Sequence, residues 1–308
     1  MPATAIIAIV LTATLGFLDL LRLGFNLYLS MVYRPDHATG TLDISAVLGG
    51  PGAAAAAAFA AAIILLFAKE VGRIVAIAVA GASAFSAAMS LPGTVLRLLE
   101  YRAFHLDAGY FAFDLTATAL AVTVMVLLSS EHVSRWLHKR RKPRPVEIDT
   151  PTKRPVGVTI ASGLIGVVWL GWLAETYFAV NTTLTLGSPS QLQGLASHFG
   201  FLVVLLAALV AVVLTMIGKR TGWTLAIAIG GVTFIHCYRN LVFFATSLTV
   251  DTNPAPTSAT WITQFGLAVA LVASTTSLII LSRRRQLDWF YHNRLHTFAD
   301  KSFATAAG

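Results

Sequence analysis

Seven charged or amide side chains stand within or at the ends of long apolar runs: Asp19, Arg22, Asp114, Glu175, His236, Arg239 and Asn240. A charge at mid-bilayer is strongly disfavoured unless it is paired or lines a wet cavity, so such residues mark either a site or an interhelical pair. Asp19 and Arg22 have i,i+3 spacing, which puts both on one helix face and lets them pair with each other. His236 with Arg239, and His236 with Asn240, have i,i+3 and i,i+4 spacing, so the three share one broad face. Glu175 and Asp114 fall at comparable depth in neighbouring segments, and the set predicts one polar chamber open to one side of the membrane. In it Arg239 supplies positive charge to an anionic group, Glu175 or Asp114 holds Arg239 in place, and His236, near the midplane, senses or passes a proton. The competing reading is that these groups only tie helices together.

Other chemistries lack their residues. No GxSxG, HExxH or Walker pattern occurs, and no catalytic residue is assigned. Cys237 is the single cysteine, which rules out an intrachain disulfide and a cysteine metal site, and no metal is expected. No lysine lies within an apolar segment to form a retinal Schiff base. No cofactor is expected; the alternative weighed is haem held by His198 and His236.

The elements that must position these groups follow from composition. A charged fraction of 12% cannot coat a soluble surface, and several apolar runs reach the length that crosses a hydrocarbon core. The chain is an integral membrane protein, with membrane lipids as its first partners. Its formal charge of +8 is concentrated in residues 139–144, 153–154 and 283–285, each flanking an apolar segment, so it reports topology and implies no nucleic-acid partner.

Eight segments are predicted: 4–32, 53–68, 74–96, 109–130, 156–180, 195–217, 223–248 and 261–281. The second, rich in alanine, is short for a span, and the first reads as a retained helix, not a cleaved signal. The basic turns at 69–73 and 219–220, the linker and the tail fall on one side, which makes both termini cytoplasmic in a multi-pass protein of the cell membrane. The loops 34–50, 98–108, 181–194 and 249–260 face outward. Asn181-Thr182-Thr183 matches a glycosylation acceptor, though an ordinary polar loop accounts for it as well.

The chain also resembles itself. Lys69, Gly72, Ala76, Ile77, Ala78 and Gly81 recur at constant offset as Lys219, Gly222, Ala226, Ile227, Ala228 and Gly231. The same offset sets Asp19 and Arg22 against Trp169 and Trp172, Phe25 against Glu175, and His236 and Arg239 against Ser86 and Met89. Each unit holds an even number of crossings, so the copies form a parallel tandem repeat about an axis along the membrane normal. The expected fold is all-α and polytopic. It comprises a first four-helix unit (1–137), a basic cytoplasmic linker (138–155), a second four-helix unit (156–282) and a cytoplasmic or interfacial amphipathic tail (283–308). In the tail Leu287, Phe290, Tyr291, Leu295 and Phe298 keep helical spacing, and tail and linker are candidate docking points for a protein partner.

Together these features lead to the expectation of transport or binding of a small or amphipathic solute, anionic or lipid-like solutes included, through the outward-facing chamber. Two alternatives stand beside it: an assembly subunit of a larger membrane complex, and a membrane-embedded enzyme acting on a lipid-linked substrate.

Overall fold

The computed structural model describes residues 1–33, 51–101, 104–139, 154–185, 198–247 and 258–290, all helix apart from short caps and turns. The helices are α1 (Ala3–Tyr33), α2 (Pro51–Leu66), α3 (Glu70–Tyr101), α4 (Phe104–Ser129), α5 (Glu131–Lys139), α6 (Val156–Thr185), α7 (Phe199–Met216), α8 (Arg220–Ser247) and α9 (Ser258–Ser282). Seven of them are long and apolar enough to cross a membrane, and α2, with 16 residues, is shorter. Large apolar side chains such as Phe17, Leu170, Leu206, Phe265 and Val272 are exposed along these spans, as lipid-facing surfaces require. The protein is an all-α, multi-pass membrane protein.

Among the described residues α1 packs on α2, α2 on α3, α3 on α4 and α4 on α1, which closes a ring of four. A second ring runs α6, α7, α8, α9 and back to α6. The rings meet chiefly through α3 against α8, with α7 also touching α3. Lipid supplies no hydrophobic drive between helices, so close approach depends on small residues. A Cβ added to Gly81 would stand 2.8 Å from Ala228 Cβ, and one added to Gly231 would run into Ala78. Towards one end of the same contact the Arg73 guanidinium lies 4.6 Å from the Trp223 ring centroid, a cation–π arrangement. The register of Arg73 with Trp223, Ala78 with Gly231 and Phe85 with His236 makes α3 and α8 parallel.

Tight turns join α2 to α3 and α7 to α8 at what is here termed the hairpin end. Each closes with a residue in the left-handed region, Ala68 at φ 53° and Gly218 at φ 80°. Ala68 and Lys69 donate backbone N–H groups to Leu65 and Ile64 carbonyls, and Gly218 and Lys219 donate to Thr215 and Leu214, the Schellman pattern in both cases. The turns bring the next helix close: a Cβ on Gly72 would lie 2.7 Å from Leu65 N, and one on Gly222 would strike Leu214 and Thr215. Glycine is required at both positions by backbone proximity.

Two loop expectations are corrected, and part of the tail is placed. Residues 98–101 and 104–108, expected as a loop, are the end of α3 and the start of α4, because apolar residues between the charges keep the helix pattern running. Residues 181–185, also expected as loop and carrying the glycosylation triplet, are the last turns of α6. Residues 284–290, within the amphipathic tail, form a helical run whose apolar side is turned to the bundle: Leu287, Trp289 and Phe290 are buried in the main core. There Leu287 and Phe290 line a small cleft with Arg73, Arg220 and Trp223, so the bundle already covers the apolar side of that run. Residues 34–50, 140–153 and 291–308, which hold most of the linker and the rest of the tail, lie outside the described residues.

Candidate functional site

Polar side chains gather in the half of the bundle away from the hairpins. His236 is 16 residues beyond Arg220 in α8, which at the helical rise puts it about 24 Å from the hairpin end, past the middle of the span Arg220–Val242. Glu175 faces it from late in α6, while Arg22, late in α1, and Asp114, early in α4, pack at similar depth against α3. The sequence-predicted residues form two clusters, with Arg239 outside both.

The first cluster lies between α1, α3 and α4. Asp19 is buried, and its Oδ2 accepts a hydrogen bond from Ser83 Oγ at 3.2 Å. Arg22 does not form the expected ion pair with Asp19. Its Nη1 donates to Ser86 Oγ at 2.8 Å and its Nη2 stands 3.4 Å from Asp114 Oδ1. Spacing along one helix shows which groups can meet, and here a carboxylate across the interface offers the guanidinium a better line. Asp114 is 2% exposed and its Oδ2 takes the Ser90 hydroxyl. Ser83, Ser86 and Ser90 occupy one face of α3 and give each charged group a neutral partner.

The second cluster lies between α6 and α8 and reaches across to α3. His236 Nε2 is 2.7 Å from Glu175 Oε1 and 3.1 Å from Asn240 Nδ2. Asn240 also donates from Nδ2 to the His236 carbonyl at 2.9 Å, which fixes its amide orientation. Glu175 and Asn240 therefore compete for one ring nitrogen: as N–H it donates to the carboxylate, and as a lone pair it accepts from the amide. Three rings enclose the imidazole. Trp172 is 4.7 Å away, and Phe85 and Phe201 are each 6.1 Å away edge-on. Phe85 comes from α3 and the other two from α6 and α7, so the pocket wall is built by both rings of helices. Trp172 is fixed by its Nε1–H to Thr233 Oγ1 at 2.9 Å. The cluster is less enclosed than the first, with the Glu175 side chain one-third exposed.

Arg239 corrects a central expectation. Among the described residues it pairs with neither Glu175 nor Asp114, and it is exposed. It lies three residues inside the end of the span Arg220–Val242, shallow enough for a long side chain to carry its charge to the interface.

His198 and His236 are not placed for haem. The Phe201 ring stacks on His198 at 5.7 Å and meets His236 at 6.1 Å, so it occupies the space between them. His198 Nε2 is also engaged by Thr183 Oγ1 at 3.0 Å, and His236 Nε2 by Glu175. Ligation from opposite faces of a porphyrin needs those nitrogens free and facing.

Sequence reasoning missed Ser83, Ser86, Ser90 and the aromatic wall. The serines repeat at i,i+3,i+7, a one-face pattern visible in the sequence. Phe85, Trp172 and Phe201 look like ordinary apolar residues until the helices are assembled. No protein-family model, curated protein or solved structure matches the chain, so the role of these clusters rests on their own geometry.

Proposed function

We propose that the protein binds a small or amphipathic solute at the second cluster and moves it across the cell membrane. The observation that carries this reading is the partly open Glu175–His236–Asn240 group, walled by Trp172 and Phe201 from one helix ring and Phe85 from the other. A site straddling the joint between two bundles changes shape whenever they shift, which transport requires and a static scaffold does not. With Arg239 outside the clusters, the charge on offer is carboxylate-rich, which favours a solute with a cationic or protonated group over an anion. Glu175 would take that group, His236 would exchange the proton and the rings would cover the apolar part.

The scaffold we infer has eight crossings, counting α2, in two parallel four-helix units at 1–137 and 156–282, with 138–155 as a basic linker and 283–308 as the tail. Support comes from the matching neighbour orders, from the mirrored turns at Ala68 and Gly218, and from contacts that answer each other, Gly81 on Ala228 and Gly231 on Ala78. Basic residues at the hairpin end favour a cytoplasmic location for it and for both termini, which sets the clusters on the outer side.

The test is direct. Protein in nanodiscs is titrated with a panel of primary amines, amino acids, carboxylic acids and lysolipids while tryptophan fluorescence is followed, and any binder is assayed for uptake into proteoliposomes. Binding and uptake should fall in Glu175→Gln and Asn240→Ala with the protein still folded. Unchanged uptake in a folded Glu175→Gln protein would falsify the assignment.

A further inference from the structure

Two exposed cations come together at the hairpin end, where α6 begins and α7 ends. Arg154 lies two residues before the span Val156–Phe178, and Lys219 stands in the turn between the spans Phe199–Met216 and Arg220–Val242, so both sit at the level where hydrocarbon gives way to headgroups. α6 and α7 pack on each other, and Arg154 Nη1 donates across to the Met216 carbonyl at 3.3 Å, three residues before Lys219. That bond holds the guanidinium beside the turn while engaging one of its three nitrogens. Among the described residues neither cation forms an ion pair with a carboxylate, whereas at the same end Arg135 has Glu131 at 2.7 Å and Arg284 has Asp288 at 3.8 Å. The apolar side chains beside the cations point to what meets them. Val156 and Ile160 of α6 and Val213 and Ile217 of α7 are all exposed within two turns of Arg154 or Lys219. A partner that answers both features carries an anionic head and hydrocarbon tails in one molecule; an acidic protein segment or a free anion answers only the first. The other hairpin turn is poorer, since it carries Lys69 but the residue 150 positions before Arg154 is Thr4.

We propose that the hairpin end of α6 and α7 holds one anionic phospholipid, its phosphodiester against Arg154 and Lys219 and its acyl chains along Val156, Ile160, Val213 and Ile217. A guanidinium and an ammonium both favour phosphate oxygens, and two of them on one headgroup select an anionic lipid over a zwitterionic one, whose own cation they would repel. The site shares no residue with the Glu175–His236 group and stands or falls independently of the solute reading.

The experiment titrates the purified full chain in neutral detergent with phosphatidylglycerol and, separately, with phosphatidylcholine of the same acyl chains, and counts the lipid retained per protein by native mass spectrometry. Wild type should retain one phosphatidylglycerol at concentrations where phosphatidylcholine is lost. Arg154→Ala and Lys219→Ala should each raise the half-saturating phosphatidylglycerol concentration about fivefold, and the double variant roughly twenty-five-fold, as loss of one and two basic contacts to an anionic headgroup implies. Both side chains are exposed, so melting in lipid-free detergent should stay at the wild-type value, which separates lost lipid from lost fold. Lys69→Ala, at the turn without a second cation, should retain lipid as wild type does. Equal retention of the two lipids, or wild-type retention by the double variant, overturns the proposal. So does a loss in Lys69→Ala as large as in Lys219→Ala, which would show a diffuse basic surface. Displacement of the lipid by inorganic phosphate would make this a free-anion site, and retention that emerges only in Glu147→Gln with Asp149→Asn would assign the two cations to the linker's own carboxylates; either result also overturns it.

Discussion

Two polar clusters sit at the same level of two similar helix rings, and they solve the problem of charge in a membrane differently. Beside α3, Arg22 and Asp114 carry fixed charges, and the carboxylate is sealed at 3% side-chain exposure. Beside α8, a carboxylate meets an imidazole that can gain or lose its charge, and the pair is looser at 16% and 33%. Arg22 bonds to Ser86, and at the residues 150 positions further along the chain Trp172 lies against His236. The molecule thus carries a permanent ionic tie beside α3 and an adjustable, partly open pair beside α8. Enclosure and titratability, more than the presence of charge, separate a tie from a candidate site.

The largest effect should come from cutting the sealed tie. Arg22→Met leaves Asp114 buried without its cation and should lower stability by about 3–5 kcal/mol, seen as a marked drop in melting temperature; adding Asp114→Leu should restore most of it. Wild-type-like melting of Arg22→Met alone would show that the tie is not one. Next in size are the contacts between the rings. Gly81→Val and Gly231→Val each force a side chain into the other ring's backbone and should cost about 1–3 kcal/mol by chemical denaturation. Similar losses would support equivalent halves, and a large loss in one alone would break the comparison.

The exposed pair should matter less. Glu175→Gln should cost about 1 kcal/mol because solvent screens the attraction. Melting curves of the two proteins check this, and a loss as large as that of Arg22→Met would make the pair a sealed tie as well. Smallest is the turn pair. Ala68→Gly relieves an alanine held at φ 53° and should stabilise by about 0.5–1 kcal/mol, while Gly218→Ala should destabilise by a similar amount.

Much of the fold was legible in the sequence. Apolar runs gave the spans, and the glycines and alanines of the matched stretches, Gly72, Gly81, Gly222 and Gly231, are the ones at close approaches. What failed was orientation across helices. A span that is apolar all round carries little periodic signal of which face turns inward, so Arg239 could be placed in depth but not in direction. Asp19 and Arg22 were assigned to each other because a single helix is all that spacing describes; Asp114 is close only after α1, α3 and α4 pack. The pattern of Leu287 and Phe290 showed an apolar side without saying whether lipid or protein would cover it, and Trp223 with its neighbours provides the protein.

The close approach of α3 to α8 also sets how the two rings can move. Their tightest contacts run from Arg73 beside Trp223 near the hairpins to Gly81 with Ala228 and Gly231 with Ala78 at the middle of the spans. Rocking of one ring against the other must use that region as its fulcrum, with the rest of α3 and α8 as lever arms. His236 lies five residues past Gly231, so a tilt of about 15° displaces it by on the order of 2 Å, enough to part an aromatic contact. The contact that bears this displacement is Phe85 against His236 and Trp172, where the wall of the open cluster crosses from one ring to the other.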